Sequence, residues 1–245
     1  MRPHVDFIDT AEIPEINPRP GTYSRILSRD PETTARTALV RVVPQDGHVD
    51  QAQPHCHETS EEIFVVSGMM AFDSRCWLHA GGYIYHPPRW VHGFNSNVPV
   101  ESAFVSRVSG DLRFTYFDTP RDDYPYLEGE AVNGRDAVIV ASPWAQRWPV
   151  IASAEGQIRE FLYSDDPSAG ERSVLRRYDV GALDAAPPSA TLDRCEEYFV
   201  QEGVVEDENG ARYGKGFYAC LLAGSRRPRL RGIDNALVYH HVGAA

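Results

Sequence analysis

The sequence lacks several signatures, and each absence removes a class of function. No stretch approaches the eighteen or so consecutive apolar residues that a membrane-crossing helix needs. The opening residues, MRPHVDFIDT, have no apolar core of a secretory leader. The four cysteines (Cys56, Cys76, Cys195 and Cys220) never occur as C-x-x-C and are too few for a disulfide framework. A cytoplasmic protein with reduced thiols is the expectation. Positive charge is also scarce: the formal net charge is −11, the wrong sign for a surface that grips phosphates. We therefore expect neither a nucleic-acid nor a membrane partner, and look instead to a small-molecule substrate. Long helical patterns are missing as well. Eighteen prolines and nineteen glycines break the chain into short apolar runs.

What the chain does contain is itself, twice. EEIFVVSG (Glu61 to Gly68) returns as EEYFVQEG (Glu196 to Gly203), with five of eight residues identical at an offset of 135. Gly21 and Leu27 match Gly156 and Leu162 at the same offset. Asp30-Pro31 matches Asp166-Pro167 at 136, Gly47 and Gly82 match Gly181 and Gly216 at 134, and Ala103 and Val105 match Ala236 and Val238 at 133. Drifts of a residue or two are what loops produce. Two copies of one unit of roughly 100 residues follow, about 15 to 118 and about 148 to 245. As domains, 1–120 is a first lobe, 121–147 a polar, turn-rich connector and 148–245 a second lobe. Within each copy, runs such as ALVRVV, GGYIYH and ESAFVSRV are rich in Val, Ile, Phe and Tyr and bounded by Gly, Pro, Asn or Asp. They predict short strands, hence an all-β chain of two tandem barrels or sandwiches. Only DPETTARTAL hints at helix, with Asp30 as its cap, and it is short.

The chemistry concentrates in PHCHETSEEIFVVSG and the later HPPRWVH. On a strand, His55 and His57 share one face about 7 Å apart, while Cys56 points the other way as a buried structural thiol. Three residues then leave room for a turn that returns Glu61 toward the same point. His92 arrives after the rigid Pro87-Pro88 pair. Three imidazoles and a carboxylate form an N3O set suited to one divalent Fe, Mn, Ni, Co or Zn, with Fe or Zn favoured. Phe94, Ile63 and Val65 are candidates for an apolar wall beside it. His86 could orient a ligand from behind, and His79, His240 and His241 are given no role.

The pattern H-x-H-x3-E-x6-G followed by P-x-x-x-H resembles the two motifs of the cupin superfamily. The three-residue spacing and the Pro-Pro pair are most similar to the lobe of ChrR-type anti-sigma factors and to small dioxygenases of aromatic ketones and diketones. The resemblance implies double-stranded β-helix (jelly-roll) barrels with His55, His57, Glu61 and His92 as metal ligands. It covers most of the first copy and, more faintly, the second. Gly47 precedes the first histidine at a longer spacing than the family pattern. In the second copy Glu196 stands for Glu61, but Ala190 and Leu192 replace the two histidines, and Arg226, Arg227, Arg229 and Arg231 cluster near the place of His92. This lobe is expected to hold no metal and to pair Glu196, if buried, with one of those arginines.

Four protein ligands leave one or two positions of a six-coordinate ion open, as catalysis requires. The function expected is a metal-dependent oxidoreductase of dioxygenase type acting on a small carbonyl or phenolic compound. A metal-dependent isomerase or lyase is the alternative. A non-enzymatic sensor module is disfavoured, because only about fourteen residues precede the first repeat, and none is a cysteine ligand for an anti-sigma zinc site. Homodimerisation remains open.

Overall fold

A computed structural model describes residues 1–44, 54–73, 76–93, 98–117, 137–187 and 190–243. Gly47, Phe94 and most of the 121–147 connector lie outside the described residues. Among those described, the chain is β apart from one 3-10 turn, Thr10–Glu12. No helix is long and apolar enough to cross a membrane. The helix hinted at by DPETTARTAL does not form. Asp30 instead closes a turn, its carboxylate accepting from the Glu32 and Thr33 amides, and its own amide donates to Ala35 O at 2.8 Å. Short polar side chains bonding to nearby backbone compete with helix in this way.

The chain divides into two units. The first comprises Met1 and Pro14–Ala145, the second Arg2–Ile13 and Gln146–Ala245. This moves the boundaries expected from the repeat. Residues 2–13, placed in the 1–120 lobe by sequence, belong to the second unit. Val138–Val140, placed in the connector, is a strand of the first.

The first unit holds a seven-stranded antiparallel sheet. Its order is Val138–Val140, Tyr83–His86, Glu61–Ser67, Ser102–Val108, Arg36–Val42, Thr22–Arg29 and Ile16–Arg19. Two small ribbons accompany it, His55–Cys56 with Thr115–Tyr116 and Met69–Asp73 with Cys76–His79. Ile63, Val65, Met70, Leu78 and Ile84 form one buried cluster. Cys56 is buried with Val91 and Phe117, away from the ligand face.

The second unit repeats the order strand for strand. Val5–Asp9, Phe217–Leu221, Cys195–Glu202, Ala236–Gly243, Glu171–Tyr178, Ile158–Asp166 and Val150–Ile151 form its large sheet. A five-stranded sheet completes it. In both units the edge strand, beside Tyr83–His86 or Phe217–Leu221, comes from outside the repeat: Val138–Val140 in one, Val5–Asp9 in the other. Borrowed strands of this kind cover backbone groups that an open edge would leave unpaired. In the second unit, Arg2 locks the edge from inside. It is 2% exposed and donates to both oxygens of buried Glu197, at 2.5 and 2.8 Å.

The glycine that ends each repeat motif has a steric reason. Gly68 and Gly203 sit at φ +78° and +71°. A Cβ would lie 2.3 Å from Ser102 Oγ in one copy and 2.2 Å from Asn235 O in the other. Only glycine adopts the left-handed turn with that approach.

Candidate metal centre

Adjacent strands Glu61–Ser67 and Tyr83–His86 run antiparallel with Glu61 opposite His86. His55 and His92 meet through a two-way backbone bridge, His55 N to His92 O at 2.8 Å and His92 N to His55 O at 2.9 Å. His57 follows two residues after His55 and is buried. The outcome is a cluster in which ligand atoms of His57, Glu61, His86 and His92 all lie within 4.8 Å of one another. All four residues are at most 9% exposed.

Three of the four residues expected from sequence are therefore brought together, and His86 joins them. His55 stands next to this group, its ring centroid 4.3 Å from that of His92 and 6.4 Å from that of His57. It also contacts the half-exposed Phe114 and exposed Tyr116, whose rings stack 5.8 Å apart. His86 is fully buried, with its ring stacked on His92 at 4.1 Å. Strand alternation could not find His86, because every residue of Tyr83–His86 is buried. The signal lay in the register across to Glu61, which the intervening residues 68–82 do not reveal.

The donor atoms suit a divalent cation. His57 Nδ1–H donates to Thr59 O at 2.5 Å, and His92 Nδ1–H donates to Trp90 O at 2.8 Å. Carbonyls can only accept, so in each neutral ring the lone pair is on Nε2. His57 Nε2 is buried without a hydrogen bond, 3.5 Å from Glu61 Oε2. A lone pair and a carboxylate facing each other at that distance repel unless a positive charge intervenes. The titration behaviour expresses the same demand. Burial disfavours charge on His57, yet Glu61 outweighs it and holds the imidazole above its ordinary value. Burial likewise works to raise Glu61, but His57 and the Ser106 hydroxyl, 2.8 Å from Oε1, help bring it down to about 2. Burial pushes His86 down to about 3 and His92 well below its usual range, so both are neutral nitrogen donors. The residues present fit a metal ion.

The second unit fills the same place with other groups. Glu196 is 2% exposed, on the strand equivalent to that of Glu61. Arg227, one of the arginines singled out in the sequence, donates to Glu196 Oε1. Tyr198, in the position of Ile63, donates to Oε2, and His240 Nε2 donates to the same oxygen at 2.9 Å. His240 occupies the position of Ser106, so a residue given no role by the sequence reading is in fact a carboxylate partner. Burial tends to raise Glu196, but His240, Tyr198 and Arg227 together hold it at about 2. A guanidinium thus provides the positive charge that the first unit lacks. The second unit gathers no such histidine and carboxylate cluster among the described residues.

Residues 4–111 match the ChrR Cupin-like domain family. Among curated proteins no sequence relative is found. Among solved structures, a candidate dioxygenase from Nostoc punctiforme superposes with a TM-score of 0.76 at 17% identity, covering 98% of this chain and 83% of its own. The salicylate 1,2-dioxygenase of Pseudaminobacter salicylatoxidans gives 0.58 at 15%, covering 85% and 71%. A bacterial pirin of Escherichia coli in complex with nickel(II) gives 0.59 at 9%, covering 100% of both chains. Likenesses at these identities show a shared fold.

Proposed function

Starting from a chain whose residues 4–111 match a cupin-like family, we propose that its first unit is a cupin and a metal-dependent enzyme. The reaction is an oxidoreduction of dioxygenase type on a small carbonyl or phenolic compound. One observation carries the reading: a buried carboxylate and three imidazoles converge, and backbone carbonyls preset the Nε2 lone pairs of two of the rings. His57, Glu61 and His92 hold the ion. His86 supplies a fourth donor in the arrangement seen, and His55, bridged to His92 through the backbone, is the other nitrogen within reach. When bound, Fe(II) would supply the redox chemistry with dioxygen and polarise a chelating substrate. The protein contributes buried donors and a carboxylate fixed by Ser106. The Phe114–Tyr116 stack beside His55 offers a planar apolar face against which an aromatic substrate would lie. The dioxygenases among the structural neighbours support this class without naming the substrate. Reduced thiols are consistent with a cytoplasmic setting, and all four cysteines are free.

Elemental analysis of protein purified without a chelating column identifies the metal. Anaerobic reconstitution with Fe(II) and a screen of diketones and hydroxyacetophenones for oxygen uptake then tests the reaction. Turnover without oxygen would move the protein to the isomerase or lyase class. Protein that takes up no metal would remove the reading altogether.

A further inference from the structure

Two thiols that the metal chemistry does not use touch each other in the second unit. Cys195 and Cys220 stand on neighbouring strands, Cys195–Glu202 and Phe217–Leu221, with their Sγ atoms 3.7 Å apart. Register puts Glu197 opposite Cys220, so Cys195, two residues before Glu197, shares a sheet face with both. Neither thiol is in a disulfide. Disulfide sulfurs lie about 2.0 Å apart, so side-chain rotation has less than about 2 Å to close.

The borrowed N-terminal segment sits against this pair. Arg2 donates to Glu197, opposite Cys220, and to Tyr218, two residues before Cys220. Val5–Asp9 then runs along the strand of Cys220, with Val5 opposite Cys220 itself. In this docked state Cys195 and Cys220 are only 4% and 0% exposed. The hydrogen bond between the thiols, together with burial, pushes Cys195 above the ordinary thiol range. Little of the reactive thiolate therefore forms while the sheet is closed. Terminal segments are among the first parts of a fold to open, and opening here removes Arg2 from the face that carries both sulfurs.

We propose that Cys195 and Cys220 are a redox pair, which closes into a reversible disulfide when residues 2–13 lift from the second unit in the presence of a peroxide. One thiolate attacks a peroxide oxygen: an S–O bond forms, the O–O bond breaks, and the leaving oxygen departs as water after protonation. The other thiolate attacks that sulfur, forming S–S as S–O breaks, and a second water leaves. Two thiols and one hydrogen peroxide become one disulfide and two waters. The bond ties Cys195–Glu202 to Phe217–Leu221 and closes the intervening chain into a loop, which stabilises the unit against unfolding.

The test treats the full-length protein with hydrogen peroxide under native conditions and locates any cross-link by peptide mass mapping. Two of the four thiols should be lost, with Cys195 joined to Cys220, and dithiothreitol should restore both. The oxidised protein should show a higher urea midpoint for the second unit. Cys195→Ala should abolish the cross-link and Cys76→Ala should keep it. Arg2→Met, assayed where circular dichroism shows it folded, should form the bond at least about tenfold faster. If Arg2→Met does not fold, Tyr218→Phe, which removes only the hydroxyl bonded to Arg2 and Glu197, should accelerate it instead. No cross-link in the folded protein, sulfinic acid at either thiol in its place, pairing with Cys56 or Cys76, or a rate unmoved by loosening Arg2 would each overturn the proposal.

Discussion

Replacing Arg2 by methionine removes the charge that closes the second unit while keeping most of the aliphatic stem. In the native protein, Arg2 makes two bonds to Glu197 and a third, at 3.1 Å, to the Tyr218 hydroxyl, which itself donates to Glu197 Oε2 at 2.6 Å. Arg2 and Glu197 are 2% and 3% exposed, so solvent cannot take over either charge. Burial works against the guanidinium, but Glu197 outweighs it and holds Arg2 firmly protonated. Removing one member of a buried ion pair costs about 3–5 kcal/mol, because the other charge is left buried. The surviving Tyr218 bond offsets about 1 kcal/mol of this, so a loss near the lower end, about 3 kcal/mol, is expected. Urea unfolding measures it as a lower midpoint at unchanged slope for the transition of the second unit. The double variant Arg2→Met/Glu197→Leu removes both charges and should recover most of the loss. A single-variant loss under about 1 kcal/mol, or a double variant no more stable than the single, would refute the reasoning.

Four further outcomes can be measured. His57→Ala and His92→Ala should lose most bound metal while remaining folded, and comparing His86→Ala with His55→Ala by elemental analysis identifies the third nitrogen, which the geometry assigns to His86. Lowering the pH should release the metal as His57, the imidazole held above its ordinary value, takes up a proton, while His86 and His92 stay neutral to lower pH; full occupancy at pH 4 would contradict ligation by His57. Glu196→Gln should leave metal content unchanged, near one ion per chain. Glu196 is held near 2 in the folded state, below its ordinary value of 4.5, so its stabilisation is complete above about 4.5 and fades as the pH falls toward 2; the Gln variant should lose that contribution to the acid limb, as circular dichroism would show. Finally, residues 146–245 expressed alone should be markedly less stable than when a peptide of residues 2–13 is added, and equal stability would mean the borrowed strand is dispensable.

The duplication, the strand-rich architecture and the convergence of His57, Glu61 and His92 were legible because they are written in local pattern. Glycine positions, turn residues and motif spacing survive without tertiary information. His86 was not legible as a donor. Its position depends on the register between strands Glu61–Ser67 and Tyr83–His86, set by the segment between them rather than by either strand. His240 was missed for a related reason. Nothing in its neighbourhood along the chain names Glu196, and only the pairing of Cys195–Glu202 with Ala236–Gly243 brings them together. Domain boundaries failed differently. A repeat search marks what is duplicated, whereas Val5–Asp9 and Val138–Val140 lie outside the duplicated cores, and no periodicity assigns them to a sheet.

The borrowed strand sets a timetable for synthesis. Arg2 meets Glu197 across 195 residues of sequence, so the segment that closes the second unit is made long before its partner. At translation rates of about 5–20 residues per second, the wait is on the order of ten to forty seconds. Throughout it, Val5–Asp9 carries unpaired backbone donors and acceptors that any passing strand could take up. The first unit has no such delay, since Val138–Val140 emerges after the strands it joins. Folding in the order of synthesis therefore favours the metal-binding unit and leaves the other dependent on its earliest residues staying available. Bulk inserted beside Arg2 would be felt at the sheet that Val5–Asp9 completes.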